Sequence, residues 1–268
     1  MGTDLGVMRR IAVCVLCGVM AAVTWPAMAA KLPLRKIVEI LFKAEPGSKP
    51  DFSGEDLSFL DLSELDFKQA SLAGANLLGA NLSGANLAST DLRNAKLDRA
   101  QVSRTNLKGA NLSGASLFDV VGSLSLAEPA ANAPNFEGAN LSGARVMARL
   151  SRANLRGAKL TDAHLGTQRN EFKTPKQTDL SGASLVGADL TRADLTRVNL
   201  AFAAMTNANL TYANLYGADL SRADLTGANL AGANFADADL YGAVLKDVKG
   251  LETVRGWDKA RNRKKVSF

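Results

Sequence analysis

The chain is poor in the residues that most catalytic and metal sites require. Its 268 residues include two cysteines, Cys14 and Cys17, and one histidine, His164. Both cysteines lie close to the N-terminus, so the rest of the chain has no thiol for a disulfide, a nucleophile or a zinc site. A single histidine cannot supply a metal-binding pair or act with a cysteine in covalent catalysis. We therefore expect neither an enzyme nor a bound metal or cofactor.

Aromatic residues are also scarce, at 6 %, although 47 % of the chain is hydrophobic. This hydrophobic content excludes a chain that is disordered by composition. The core must therefore be built from small aliphatic side chains. The carboxylates are scattered and no phosphate-binding glycine loop is present, so the sequence predicts no small-molecule substrate.

Leucine returns at every fifth position through most of the chain. In an α-helix, leucines spaced by five would spread around the axis, and in a flat strand they would alternate between the two faces. A chain that turns a corner once per repeat avoids both problems, because each short side can point its leucine inward. The period thus predicts a solenoid, with core positions at Leu72, Leu77, Leu82, Leu87, Leu185, Leu190, Leu195 and Leu200.

The repeated unit Ala-(Asn/Asp)-Leu-x-x, as in Ala75-Asn76-Leu77 and Ala228-Asn229-Leu230, resembles the pentapeptide-repeat family. This resemblance implies an all-β fold, a right-handed quadrilateral β-helix with four units per coil. Glycine often stands two positions after leucine, where it serves the turn. Because Arg192 and Arg222 occupy that position too, the sequence predicts that a positive φ is not required at every corner.

The repeats divide the chain into regions. We expect a β-helix over residues 51–245, interrupted by loops at 118–135 and 166–179. The inward positions Val146 and Leu150 are one position closer together than the period requires, so a local irregularity is expected near Met147. Residues 30–50 should form a helical cap, since apolar residues recur there at helical spacing. Residues 246–268 leave the pattern and predict a helical C-terminal cap with a flexible basic end.

The first residues have the pattern of an export signal. Arg9 and Arg10 precede an apolar run from Ile11 to Val23, and Ala27-Met28-Ala29 offers small residues for cleavage. This pattern predicts a cleavable Sec-type signal peptide at 1–29, and hence a periplasmic or secreted protein. The alternative is an uncleaved anchor, although the run is shorter than the about 20 residues of a membrane span. Membrane contact is expected only through the signal peptide before cleavage.

The formal net charge of +6 is unevenly distributed along the chain. Residues 145–176 carry a net charge of +6, residues 179–245 carry −4, and residues 246–268 carry +5. We hypothesise that the two loops and residues 145–176 form one binding feature; the alternative is that the loops are tolerated insertions. We call the eight cations of residues 145–176 the basic belt: Arg145, Arg149, Arg152, Arg156, Lys159, Arg169, Lys173 and Lys176.

Four units per coil would stack residues of successive coils along the outside. Asn209 would stack with Asn229 and Asn214 with Asn234, and Phe202 would lie next to Arg222 in a cation–π contact. These side-chain ladders could serve recognition or only solvation.

Together, these patterns predict a non-catalytic exported scaffold that binds an unknown protein or an anionic envelope component. The family resemblance implies an alternative, a DNA mimic that binds DNA gyrase and protects it from quinolones. The export signal and the lack of a strongly acidic surface oppose this alternative, and the signal also argues against a nucleic-acid partner. The resemblance further leaves open a homodimer joined through the C-terminal end.

Overall fold

The structure, a computed structural model, describes residues 32–123, 125–167 and 177–268. Its regular elements are one α-helix, α1 (Leu34–Lys43), and two parallel strands, β1 (Ser116–Ser123) and β2 (Arg145–Leu150). Four 3-10 turns complete them, at Ala130–Asn132, Leu251–Thr253, Trp257–Lys259 and Arg263–Lys265. Among the described residues no helix has both the length and the apolar character needed to cross a bilayer. The expected signal peptide and its cleavage site lie outside the described residues.

The backbone returns to the same position after every fourth unit over most of the repeats. Parallel bridges join Asp51 to Ser71 and Ser71 to Asp91, and the series continues in the same way to Lys249. Three further series begin at Asp56, Asp61 and Asp66. We number these bridge columns 1 to 4 in the order in which the chain visits them. One circuit of four units, which we call a coil, therefore visits each column once.

The interior is lined by the residues that recur with period five. The eight predicted core leucines are fully buried, as are the alanines two positions before most inward leucines, such as Ala75 and Ala228. Each inward leucine also fixes the backbone, since the N–H of Leu72 donates to the C=O of Asp91 in the next coil. Because a leucine and an alanine fill each short side, the core needs few aromatic residues.

Most corners of the repeats are β-turns that contain a left-handed residue. The N–H of Ala75 donates to the C=O of Leu72 over 3.0 Å, and Gly74 between them has a φ of 68°. This combination is typical of a type II turn. Arg192 and Arg222 adopt the same conformation, with φ values of 56° and 58°. The prediction that these corners need no positive φ is therefore wrong, and the packed interior offsets the strain of about 1–2 kcal/mol per residue.

Two insertions interrupt the regular spacing of the bridges. The bridges from Asn106 to Asn135 and from Arg149 to Asp179 each enclose a longer stretch of chain than a regular coil does. The predicted loop 118–135 begins too early, because residues 118–123 lie in β1 and Val121 still bridges Gln101. We call residues 124–134 the first insertion. The predicted loop 166–179 corresponds to a second insertion between Thr167 and Thr178, of which residues 168–176 lie outside the described part.

The coil that contains β2 is one residue short. Arg145 bridges His164, whereas the regular spacing would place its partner one position later. The pairing of β1 with β2 shifts register twice, between Phe118 and Val120 and between Val121 and Ser123. Met147 and Ala148 pair with Phe118 and Val120, at the first of these shifts. The irregularity predicted near Met147 is thus confirmed.

The two ends of the repeats differ from each other. At the N-terminal end the predicted helix is confirmed as α1, whose Ile37 and Leu41 are buried against the core. At the C-terminal end the predicted helical cap and flexible tail are wrong. The bridges continue there through Lys249, Arg255, Arg261 and Ser267.

Residues 249–268 therefore form a last coil whose units are one residue longer than the others. Each unit has a left-handed residue, Gly250, Gly256 or Asn262, followed by a 3-10 turn. The apolar residues of this segment that pack on the core are Val248, Leu251, Val254 and Trp257. They are three positions apart, a spacing that in the sequence resembles one face of a helix.

Candidate functional site

The basic belt does not form one patch. Arg145 lies in column 2, Arg149 in column 3 and Lys159 in column 1. Arg152 and Arg156 lie at the corners that follow columns 3 and 4. Because these cations recur at about the spacing of the units, they fall on successive sides, and the described part of the belt encircles the coil. Arg169, Lys173 and Lys176 lie outside the described residues.

Two belt residues have structural contacts. The guanidinium carbon of Arg145 lies 5.9 Å from the ring centre of Phe118, a cation–π distance. The guanidinium of Arg152 donates two hydrogen bonds, of 3.0 and 2.6 Å, to the C=O of Leu126 in the first insertion. A Cβ on Gly182 would lie 2.6 Å from Leu126, so this glycine leaves room for the insertion to pack on the coil. Arg152 therefore binds the first insertion to the coil, and Gly182 leaves the space in which it packs.

The two insertions leave the coil at adjacent corners. The first follows Val121 in column 3, and the second follows His164 in column 2 and returns at Asp179. The hydroxyl of the buried Thr178 donates to the C=O groups of Val146 and Leu165, and so anchors the returning chain. Arg149 lies in column 3, between the two insertions.

A cavity of about 470 Å³ opens beside Arg149. Val120, Met147 and Ala148 are buried and form its apolar floor. In the described part of the chain, the guanidinium of Arg149 makes neither an ion pair nor a hydrogen bond, and it is exposed. We call this cavity the insertion cleft; its lining is Asp119, Val120, Met147, Ala148, Arg149 and Gln177.

Gln177 also lines a second cavity of about 470 Å³. It contains Arg197, whose Cγ lies 3.2 Å from where a Cβ on Gly217 would be, together with Tyr216 and Asp237. The two hollows thus share Gln177 as a lining residue. Each hollow combines an arginine, a carboxylate, an amide and apolar surface, which suits recognition of a partner rather than proton transfer.

The outward Asn and Asp ladders have a structural role. The side-chain oxygen of Asn76 accepts the N–H of Leu78 over 3.2 Å, and its Nδ2 donates to Asp56 in the preceding coil over 2.9 Å. Asn234 donates to Asn214 over 2.9 Å in the same way, as predicted. Asn209 bridges Asn229, but its Nδ2 donates to Asp189. Since these groups bond to one another, the ladders are a poor candidate for recognition.

Other charged groups on the surface are also paired with neighbours. The guanidinium carbon of Arg222 lies 5.4 Å from the ring centre of Phe202, so the predicted cation–π contact is confirmed. Arg192 donates to both carboxylate oxygens of Asp162 at 2.7 Å, and this hydrogen bonding lowers the pKa of Asp162. His164 is exposed, and no cluster of His, Cys, Asp or Glu in the described ranges could hold a metal ion. In the described ranges the guanidinium of Arg149 has no such partner, a property that it shares with Arg156; its position beside the insertion cleft distinguishes it.

Comparisons with known proteins agree with the repeat. A sequence model of the family described as pentapeptide repeats matches residues 51–87, 85–121, 148–166, 176–211 and 208–247, more than half of the chain. No curated protein matches.

Similar solved structures include HetL, a pentapeptide repeat protein involved in heterocyst differentiation regulation from the cyanobacterium Nostoc sp. It is 29 % identical, covers 81 % of this chain and 94 % of its own, and has a TM-score of 0.35. Rfr23 from the cyanobacterium Cyanothece is 25 % identical, with 58 % and 90 % covered and a TM-score of 0.31. QnrB1, a plasmid-mediated fluoroquinolone resistance protein, is 16 % identical, with 82 % and 89 % covered and a TM-score of 0.41. All three TM-scores are low, so the assignment rests on the sequence model.

Proposed function

Because the chain belongs to the pentapeptide-repeat family, we propose that it is a non-catalytic scaffold that presents the insertion cleft to a partner. In this proposal the repeats form the right-handed quadrilateral β-helix of the family. Four bridge columns and the regular return of the chain after four units support that architecture. The columns hold the cleft residues in fixed positions, as a binding site on a rigid scaffold requires.

The observation that carries this proposal is the position of Arg149. It is an exposed cation without a partner among the described residues, beside an apolar floor and between the only two long interruptions of the described repeats. A cation next to apolar surface is a common arrangement at the centre of protein interfaces, where arginine is enriched. We therefore propose a protein or an envelope component that carries an anionic group as the partner.

A crosslinking experiment tests this site. A photoreactive residue at Ala131, which is exposed in the first insertion, should capture the partner in cells. Arg149→Glu should reduce capture at least about fivefold, because it replaces attraction with repulsion. Arg156→Glu is the matched control, since Arg156 is also exposed and belongs to the belt but lies at another corner.

Equal losses from the two variants would mean that the cleft is not the site. Capture that is unchanged in about 0.5 M salt would contradict the electrostatic part of the proposal.

We also propose that the protein acts outside the cytoplasm, since residues 1–29 have the pattern of a cleavable signal peptide. The intact mass of the protein recovered from the periplasm or the medium tests this. A chain that begins at Ala30 is expected, whereas a full-length chain in the membrane fraction would indicate an anchor. A full-length chain in the cytoplasm would contradict export.

A second candidate is gyrase binding by mimicry of DNA. Column 3 carries Asp179, Asp219 and Asp239 in the C-terminal coils, a line of negative charge along the coil. The last coil opposes this interpretation, because residues 246–268 carry a net charge of +5. A supercoiling assay with DNA gyrase and the chain from Ala30 separates the two candidates. Inhibition that the variant Asp219→Lys relieves would favour mimicry over the scaffold proposal.

A further inference from the structure

Helix α1 is apolar over more of its circumference than the core covers. Ile37 and Leu41 are buried against the first coil. Leu34, Val38 and Phe42 are spaced by four positions, so they form one ridge along the helix. They remain 37, 41 and 86 % exposed. We call these three residues the α1 strip; it is an apolar surface that the rest of the described protein leaves uncovered.

The strip continues onto the first coil. A shallow hollow of about 230 Å³ is lined by Val38, Leu41, Phe42 and Leu65 on its apolar side, and by Asp66 and Lys68 at its edge. The apolar surface is therefore wider than the helix alone provides. Phe42 projects from it and is the most exposed of the large hydrophobic residues in the described part.

Cations and one carboxylate, Asp66, border this surface. Arg35 follows the first strip residue and has no partner among the residues that the structure describes. Lys68 lies at the opposite edge, where its Nζ donates to the C=O of Ala44. Glu39, the single acidic residue of α1, is held between Lys36 and Lys43, with N–O distances of 3.4 and 2.6 Å. The helix, with three cations and one anion, therefore carries a net positive charge.

We propose that the α1 strip inserts into the surface of a bilayer that contains anionic lipids. An amphipathic helix with aromatic and aliphatic residues on one side and cations beside them binds at the boundary of headgroups and acyl chains. Phe42, Val38 and Leu34 would enter this boundary, and Arg35 and Lys68 would contact the headgroups. This contact adds to the one that the sequence predicted through the signal peptide alone.

A folded protein partner fits the strip less well. A stable protein interface buries about 800 Å² on each side, far more than three side chains and a shallow hollow offer. A projecting phenylalanine also requires a complementary pocket in a folded partner, whereas a bilayer adapts to its shape. The positive charge of the helix favours anionic headgroups further.

Vesicle binding tests the proposal. Lys31–Phe268 forms a compact unit whose core begins at Ile37, so the chain from Ala30 is suitable, with its fold checked by circular dichroism. It should sediment with vesicles of phosphatidylglycerol and phosphatidylcholine, and less with phosphatidylcholine alone. Phe42→Glu should weaken binding at least about tenfold, from the lost burial of one phenylalanine.

Phe59→Glu is the matched control, since Phe59 is 65 % exposed, lies in the first coil away from the strip, and undergoes the same change of charge. It should bind within about twofold of the parent chain. Equal losses in both variants would show that binding is only electrostatic and would overturn the proposal. So would an absence of vesicle binding.

A dimer in the absence of lipid that Phe42→Glu dissociates would instead make a second copy of the chain the occupant of the strip. None of these outcomes affects the insertion cleft, which lies in other coils.

Discussion

The first and last coils of this protein stand at opposite ends of the same four bridge columns and carry opposite charges. The four bridge positions of the first coil are all aspartates, Asp51, Asp56, Asp61 and Asp66. In the last coil the corresponding positions are Lys249, Arg255, Arg261 and Ser267. The segments around them, residues 51–70 and 246–268, have net charges of −5 and +5.

The direction of the side-chain ladders explains this difference. Each bridge-position asparagine whose Nδ2 hydrogen-bonds another side chain donates towards the N-terminus, as Asn81 does to Asp61 over 3.0 Å and Asn86 to Asp66 over 3.1 Å. The oxygen of each asparagine already accepts a backbone N–H from the turn that follows it. The first residue of a column therefore accepts hydrogen bonds and has no preceding coil to which it could donate one, which suits a carboxylate.

The last coil satisfies the opposite requirement. In the described structure no coil is stacked on its bridge residues, and donor-only side chains fit this position. Asn262 donates to Asp239 over 2.7 Å, and Arg255 donates to the C=O of Gly232 over 3.1 Å. Lysine and arginine at an open end also discourage pairing with another strand. The charge of both ends therefore has a structural cause, and only cations without such a cause, Arg149 above all, point to a partner.

The largest effect that separates the two ends should come from their cores. Leu77→Ala removes a fully buried side chain between two coils and should lower the free energy of unfolding by about 2–5 kcal/mol. Leu251→Ala in the last coil should cost about 1 kcal/mol, because Leu251 is only partly buried and no coil covers it. Urea unfolding of both variants measures the difference. Equal losses would mean that the last coil is packed as tightly as the interior.

Acid should open the first coil before the last. Hydrogen bonds from the Ser53 and Ser63 side chains, and then from their backbone N–H groups, lower the pKa values of Asp51 and Asp61. Their folded pKa values thus lie below the unfolded value of about 3.9. The stability that they contribute is present above that value and is lost as the pH falls through the folded pKa.

Hydrogen exchange of the backbone amides between pH 5 and 2.5 can follow this order. The amides of residues 71–90, which bond to the first coil, should lose protection before those of residues 249–267. Loss of protection at the C-terminal end first would contradict the assignment of the aspartates as ladder ends.

The direction of the ladder can be tested at one position. Asp61→Lys removes the acceptor that Asn81 Nδ2 and the Ser63 N–H use, and should lower the midpoint of thermal unfolding. Asp61→Asn keeps an oxygen at the same place and should lower the midpoint much less than Asp61→Lys does. Thermal unfolding of the two variants at neutral pH gives the comparison. If Asn were as costly as Lys, the charge of Asp61 would matter more than its acceptor.

The sequence predicted the interior of this protein better than its surface and its C-terminal end. The inward position accepts few residue types, so Leu72 to Leu87 indicated the core, and the short step from Val146 to Leu150 indicated the bulge near Met147. The last coil was missed because its units are one residue longer and their signal is Lys249-Gly250 and Arg255-Gly256 instead of leucine.

The candidate site was harder to predict, because a coil converts neighbours in sequence into residues on different sides. Arg145, Arg149 and Lys159 are close together in the sequence yet lie in three columns. Only the structure shows that Arg149 alone borders the insertion cleft among the described cations of the basic belt. The corner residues Arg192 and Arg222 were also predicted wrongly. Their residue type suggested a negative φ, whereas the coil imposes a positive φ at both positions.

The smallest of these effects concerns an exposed pair in the C-terminal coils. Arg222→Ala removes the cation–π contact with Phe202. In the parent chain it should lower the free energy of unfolding by about 0.5–1 kcal/mol more than it does in a Phe202→Ala background. A double-mutant cycle measured by urea unfolding gives this coupling directly, and it cancels the strain of the left-handed backbone at both positions. A value near zero would show that residues of successive coils lie side by side without attracting one another, so that the bridge columns alone hold adjacent coils together there.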